Sequence, residues 1–121
     1  MSSTPLGDAW EHALPQAARE ALAAVLDPAE KVELVAAAVG SSLVLTQSRL
    51  FVVRDGAAFR PKTGVRTFEL GTGLSIRIGP ARKRVIIESA AGTIHMFVRS
   101  EQLTQAESFV AEVRRRIYTH G

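Results

Sequence analysis

The sequence predicts a mainly β protein with α-helices at its two ends. The expected architecture is a partly open seven-stranded antiparallel barrel or sandwich, with a short N-terminal helix and a C-terminal capping helix. Three observations predict it. Ser41–Arg54 is two apolar runs split by the polar corner Thr46-Gln47-Ser48, the pattern of an antiparallel hairpin. Short runs of the same kind recur at turn spacing down to Val98. The last fifth of the chain changes period, with Ala106, Phe109, Val110, Val113 and Ile117 forming one helical stripe.

Composition sets the bounds. The 121 residues suit one domain, which we place at 15–121 behind a polar lead-in at 1–14, and 46% are hydrophobic. A chain of this size buries a core without cross-links. It contains no cysteine, which excludes disulfides, thiolate metal sites and cysteine nucleophiles. No apolar run reaches the roughly 18 residues of a membrane span. Met1-Ser2-Ser3-Thr4-Pro5 lacks the basic start and apolar centre of a signal peptide. The expectation is a soluble, cytoplasmic protein.

The elements follow in order. Pro15 suits the opening of a helix, and Gln16–Leu26 is rich in helix formers, with Ala18, Leu22, Val25 and Leu26 on one side. Asp27-Pro28 stops it. Lys31–Val39 reads as a strand with Val32, Leu34, Ala36 and Ala38 facing one way, and Gly40-Ser41-Ser42 as a tight turn. Strands at Leu43–Thr46 and Arg49–Arg54 come next, then the turn signal Asp55-Gly56. Ala57–Gly64, with Phe59 and Pro61, suits a loop or a broken edge strand. Val65–Leu70 returns to strand. Leu74–Ile78 alternates most cleanly, with Leu74, Ile76 and Ile78 inward. Gly79–Lys83 is a basic hairpin loop, Arg84–Ser89 a strand and Ala91-Gly92 a turn. Thr93–Val98 places His95 and Phe97 on one face and Ile94, Met96 and Val98 on the other, with either face available to the core. Thr104-Gln105-Ala106-Glu107 matches a capping box for the final helix; a start at Glu101 capped by Ser100 is the alternative.

The order of these pieces resembles the bacterial PH-like domains of the GRAM/PH superfold. The residues that carry the resemblance are Asp27-Pro28-Ala29-Glu30-Lys31-Val32-Glu33-Leu34, the run Leu43–Val53 with Thr46, Arg49 and Leu50, and Phe109. They stand where that family has a "gE-x-hydrophobic" entry, an "lvlTdkRLivv" hairpin and a closing helix. The resemblance covers about residues 15–118. It implies a PH-like fold and leaves activity open, because such domains are general scaffolds. Phosphoinositide-binding members carry basic residues around their first hairpin. Here that stretch is Ala38-Val39-Gly40-Ser41-Ser42, so that site does not transfer.

Charge is unevenly spread. Residues 1–33 hold six acids against Arg19 and Lys31, a sum of −4, and the remainder sums to +7. Nine basic residues between Arg49 and Arg84 face only Asp55 and Glu69. From these we single out Arg60, Lys62, Arg66, Arg77, Arg82, Lys83 and Arg84 as candidate ligand-binding residues for phosphate or an anionic lipid surface. The commoner fate of such a run is a solvated hairpin tip. Nucleic acid is not expected, because the aromatics near these cations, Phe51, Phe59 and Phe68, look like core rather than stacking platforms. His12, His95 and His120 show no metal-ligand spacing, and Trp10 looks like packing. There is no nucleophile elbow or phosphate loop, and Glu69 and Glu88 do not form a marked acid/base pair. No catalytic residue, cofactor or metal is therefore assigned. The leading reading is a non-catalytic module acting through protein–protein contacts, including homo-oligomerisation through strand edges. Anionic-ligand binding is the second reading and a small-molecule enzyme the third. Thr46 and Arg49 are given structural roles at the hairpin corner, Arg49 by pairing with a carboxylate.

Overall fold

The computed structural model describes residues 14–56 and 64–120. Trp10, His12, Phe59, Arg60, Pro61 and Lys62 lie outside the described residues. A helix α1 (Gln16–Val25) leads into seven strands: β1 (Val32–Ala38), β2 (Ser41–Thr46), β3 (Arg49–Arg54), β4 (Val65–Glu69), β5 (Ser75–Ile78), β6 (Arg84–Ser89) and β7 (Gly92–Phe97). A 3-10 turn at Ser100–Gln102 then runs into helix α2 (Leu103–His120). The protein is mainly β with α, as its sequence predicts. The strands form two antiparallel sheets, β1-β2-β3-β4 and β5-β6-β7, rather than a closed barrel.

The predicted central hairpin is present, with Val44 opposite Phe51 and Leu45 opposite Leu50. Its turn toward β1 is tighter than the sequence reading. Ser41 and Ser42 are buried strand residues, and Val39-Gly40 alone makes the corner, Gly40 taking φ 75°, a left-handed value that glycine adopts freely. β1 departs from simple alternation. Its register against β2 shifts between Val32 and Leu34. Val32 is thereby carried to the opposite face from Leu34, Ala36 and Ala38, which corrects the expected grouping.

The first sheet is buried on both faces. Its inner side, with Leu43, Leu45, Leu50, Val52 and Phe68, packs against Ile76, Val85, Ile87 and Met96 of the second sheet and Phe109 and Val113 of α2. Its outer side, with Val44, Phe51 and Val53, is covered by Leu14, Ala18, Ala21 and Leu22 at and before α1. Continuous apolar runs in β2 and β3, rather than alternation, fit this double burial. The second sheet is covered on one face only: Ile94 and Met96 point to the core, and His95 and Phe97 are exposed. The question left open at Thr93–Val98 is thus settled.

α2 begins one residue before Thr104, so the capping box at Thr104–Glu107 does not start the helix. Instead the Gln102 side chain accepts the Arg99 backbone N–H at 2.9 Å. The 3-10 turn supplies the first hydrogen-bonded step, and Thr104 falls inside the helix.

Candidate functional site

Two kinds of place in the molecule gather polar groups: the locked, paired corner of the first sheet and the open margins of the second. The corner is built on Thr46. Its hydroxyl donates to Glu30 Oε2 at 2.6 Å and accepts the Arg49 backbone N–H at 3.1 Å. Arg49 makes a two-pronged contact, donating from Nε to Glu30 Oε2 at 2.9 Å and from Nη2 to Glu30 Oε1. Nη2 also reaches the Val25 carbonyl at 3.1 Å, and the guanidinium lies 4.8 Å from the centre of the Phe51 ring. Glu30 is 4% exposed in its side chain and Arg49 19%. The Arg49 hydrogen bond holds the Glu30 carboxyl below its usual range against the opposing effect of burial, with Thr46 assisting. The same partnership raises Arg49.

A second cluster meets the same corner from α2. Arg116 bonds Glu33 at 2.5 Å, Glu112 at 2.7 Å and the Thr46 carbonyl at 3.2 Å. Glu112, held also by Arg115, has its carboxyl pulled down to about 2. Among the described residues, every buried side-chain polar atom has a partner. These charges tie α1, β1, β2, β3 and α2 together, the carboxylate-pairing role expected for Arg49.

The margins of the second sheet are different. Among the described residues β5 has one neighbouring strand, β6. Gly79 N–H donates to the Arg84 carbonyl at 2.9 Å. Counting back from that bond, the antiparallel alternation turns the backbones of Arg77 and Ser75 toward β6 and those of Ile76 and Ile78 outward. Beside this edge runs a groove of ≈ 370 Å³ between β5 and the last turns of α2. The buried Leu74 and Ile76 and the half-buried Ile117 are its apolar lining, and Arg77 and Arg114 supply its charge. Tyr118, 78% exposed, stands at its side. The edges of β1 and β7 are less open. The Ala37 N–H on β1 donates to the Gln105 side chain at 3.4 Å, and Val39 N–H donates to the Phe97 carbonyl of β7 at 2.8 Å.

The cations named from sequence divide among several surfaces. Arg60 and Lys62 lie outside the described residues. Arg66 sits on β4 opposite Val52, half-buried on the inner-face side. It lines a cleft of ≈ 240 Å³ with Arg54, Ser41, His95 and Phe97, and a second of ≈ 410 Å³ between β4 and the β6–β7 turn. Among the described residues it has no ion-pair partner. Arg77 and Arg84 are diagonal neighbours on the outer face of the second sheet, flanking buried Ile86. Arg77 pairs with Glu88 at 3.4 Å, and Arg84 approaches His95 Nδ1 at 3.4 Å. Arg82, with φ 56°, turns away to pair with Glu107 of α2 at 2.8 Å, and Lys83 is exposed beside it.

The groove between β5 and α2 escaped the sequence reading. Only its parts were legible, as the alternation of Leu74–Ile78 and the stripe ending at Ile117; that they adjoin depends on strand order. Among the described residues no group of acids and histidines is arranged to hold a metal ion, and no helix is long and apolar enough to cross a membrane. No protein-family profile, curated protein or solved structure matches the chain.

Proposed function

We propose that the protein is a non-catalytic, PH-like binding module of the cytoplasm that acts through protein–protein contacts. The observation that carries this reading is the open backbone edge of β5 beside an apolar groove. An unpaired strand edge is a ready template for a further strand, and folds that do not use one usually blunt or cover it. The four-plus-three division of strands with a helix lying from β1 to β5 supports the PH-like part. So does the meeting in space of Glu30, Thr46 and Arg49, the residues on which the sequence resemblance rests. That these charged groups hold one another favours scaffolding over chemistry at this corner.

The test is paired. Light scattering of the purified chain across a concentration range measures self-association, and affinity capture with the tagged chain, quantified against a tag-only control, measures heterologous partners. A concentration-dependent dimer or one stoichiometric partner supports the reading. A strict monomer with no enriched partner overturns it.

A second reading, binding of an anionic headgroup or phosphate, has one observation in its favour. Arg66 is a half-buried cation in a cleft that also holds Arg54 and His95, and a cation taken from water favours an anionic partner. Sedimentation with phosphatidylserine-containing and purely neutral vesicles at two salt concentrations tests it; equal sedimentation ends it.

A further inference from the structure

We infer that the β5–α2 groove takes an extended, acidic segment of another protein, added as a fourth strand to the second sheet. This rests on the protein-contact reading and gives it a place and a partner chemistry.

The backbone sets the conformation of the guest. Ile76 and Ile78 turn their N–H and C=O groups outward along an edge with no neighbouring strand among the described residues. A guest in β conformation satisfies them and extends the ladder. The side chains set its pattern. On one face of the enlarged sheet a guest residue meets Leu74, Ile76 and Ile117 in the groove, which favours an apolar side chain. On the other it stands beside Arg77, which favours a carboxylate. Alternation gives apolar and acidic residues in turn. Arg114, exposed at the groove and without an ion-pair partner among the described residues, adds a second cation at its margin. The Arg77–Glu88 pair is half-exposed on both sides at 3.4 Å, so a guest carboxylate can share or replace it.

The same charges argue against a second copy of this chain. Two β5 strands meeting antiparallel about a twofold, with their core faces aligned, set Arg77 opposite either Ser75 or its own equivalent. Both copies of Arg77 and Arg114 then fall along one seam. Like charges across a strand pair are destabilising, whereas an acidic guest turns each contact to attraction.

The experiment titrates the ¹⁵N-labelled 121-residue chain with two peptides of about eight residues, one alternating glutamate with valine and the other lysine with valine. The acidic peptide should shift the amides of Ser75–Ile78 and of the last turns of α2, and bind about tenfold more tightly than the basic one, the size expected when two exposed attractions become repulsions. Arg114→Glu, a surface change outside the core, should narrow or reverse that preference. Methylating the alternate peptide nitrogens that face β5 should abolish binding, and methylating the other set should not. This last comparison leaves the protein untouched. Shifts elsewhere, equal affinity for the two peptides, or indifference to which amides are methylated overturns the inference. So does a dimer whose β5 amides become protected from exchange. If the peptides fail while a captured partner persists and tolerates Arg114→Glu, the groove assignment falls and the protein-contact reading stands. If no partner or dimer exists, both fall.

Discussion

Arg49→Met removes the charge that the corner of the first sheet depends on while keeping a flexible apolar stem over Phe51. The variant leaves the Glu30 carboxylate 4% exposed with the Thr46 hydroxyl as its remaining side-chain donor. It also frees the Val25 carbonyl at the end of α1. Breaking a buried ion pair from one side costs about 3–5 kcal/mol, and an exposed pair under about 1 kcal/mol. Arg49 keeps some contact with water, so we expect about 2.5 kcal/mol, a fall in Tm of about 10 °C for a chain of this length. Thermal and urea unfolding followed by far-UV circular dichroism measure it. Glu30→Gln removes the charge from the other side and should cost less, because Arg49 is 19% exposed and can turn toward solvent. The double variant no longer strands a carboxylate. It should be more stable than the sum of the single losses predicts, by at least about 1 kcal/mol, the range found for directly bonded pairs. A Tm change under about 3 °C for Arg49→Met, or strict additivity in the cycle, would refute the claim that this pair holds the corner.

Three other outcomes follow from the same geometry. Glu112 is held down to about 2, first by Arg115 and then by Arg116, and Glu30 is also lowered. Native carboxyls with depressed pKa values bind fewer protons than unfolded ones, so their stabilisation is complete above about pH 5 and is lost as pH falls toward 2. The urea midpoint should drop steeply across that window, and Glu112→Gln should flatten the drop. Leu22 is fully buried where α1 meets the first sheet; Leu22→Ala should cost about 3 kcal/mol, and hydrogen exchange should show α1 opening before the strands do. Gly40 sits at φ 75° with open space where a Cβ would stand. Gly40→Ala should therefore cost about 1 kcal/mol from backbone conformation alone, leaving the β1–β2 register intact in amide spectra.

The strands were legible because their apolar runs are short and punctuated by Gly, Asp and Pro. Arg84–Ser89 and Arg49–Arg54 match to the residue. The role of Arg49 was legible too, since a lone cation inside an apolar hairpin needs a carboxylate. Its partner, Glu30, emerged only from the fold. Three things were hidden for physical reasons. The shift between Val32 and Leu34 breaks a period that local sequence displays as unbroken. The placement of α1 over the outer face is a tertiary choice; the unbroken apolar stretches of β2 and β3 suit two buried faces but do not say what covers them. The β5–α2 groove depends on which strand lies at a sheet edge, and hydrophobic periodicity carries no record of that.

The distribution of burial argues for where binding can occur. The first sheet has α1 on one face and the core on the other, and its corner is held by Glu30, Arg49 and Arg116. A ligand at the helix-covered face or at that corner would have to displace a packed helix or a paired charge, each a loss of kilocalories before any gain; Arg66 on β4 is the exception, open to its two clefts. Among the described residues no helix packs on the outer face of the second sheet, and the Arg77–Glu88 pair there is half-exposed. That face is mostly exposed around the buried Ile86, Phe97 is 61% exposed, and β5 has no partner along one side among the described residues. The residues that lock the first sheet and the residues available to a partner are therefore different sets. Substitutions at Thr46 or Arg49 should lower stability and binding together, whereas Arg114→Glu should change binding with Tm held within a degree or two, as expected of an exposed residue.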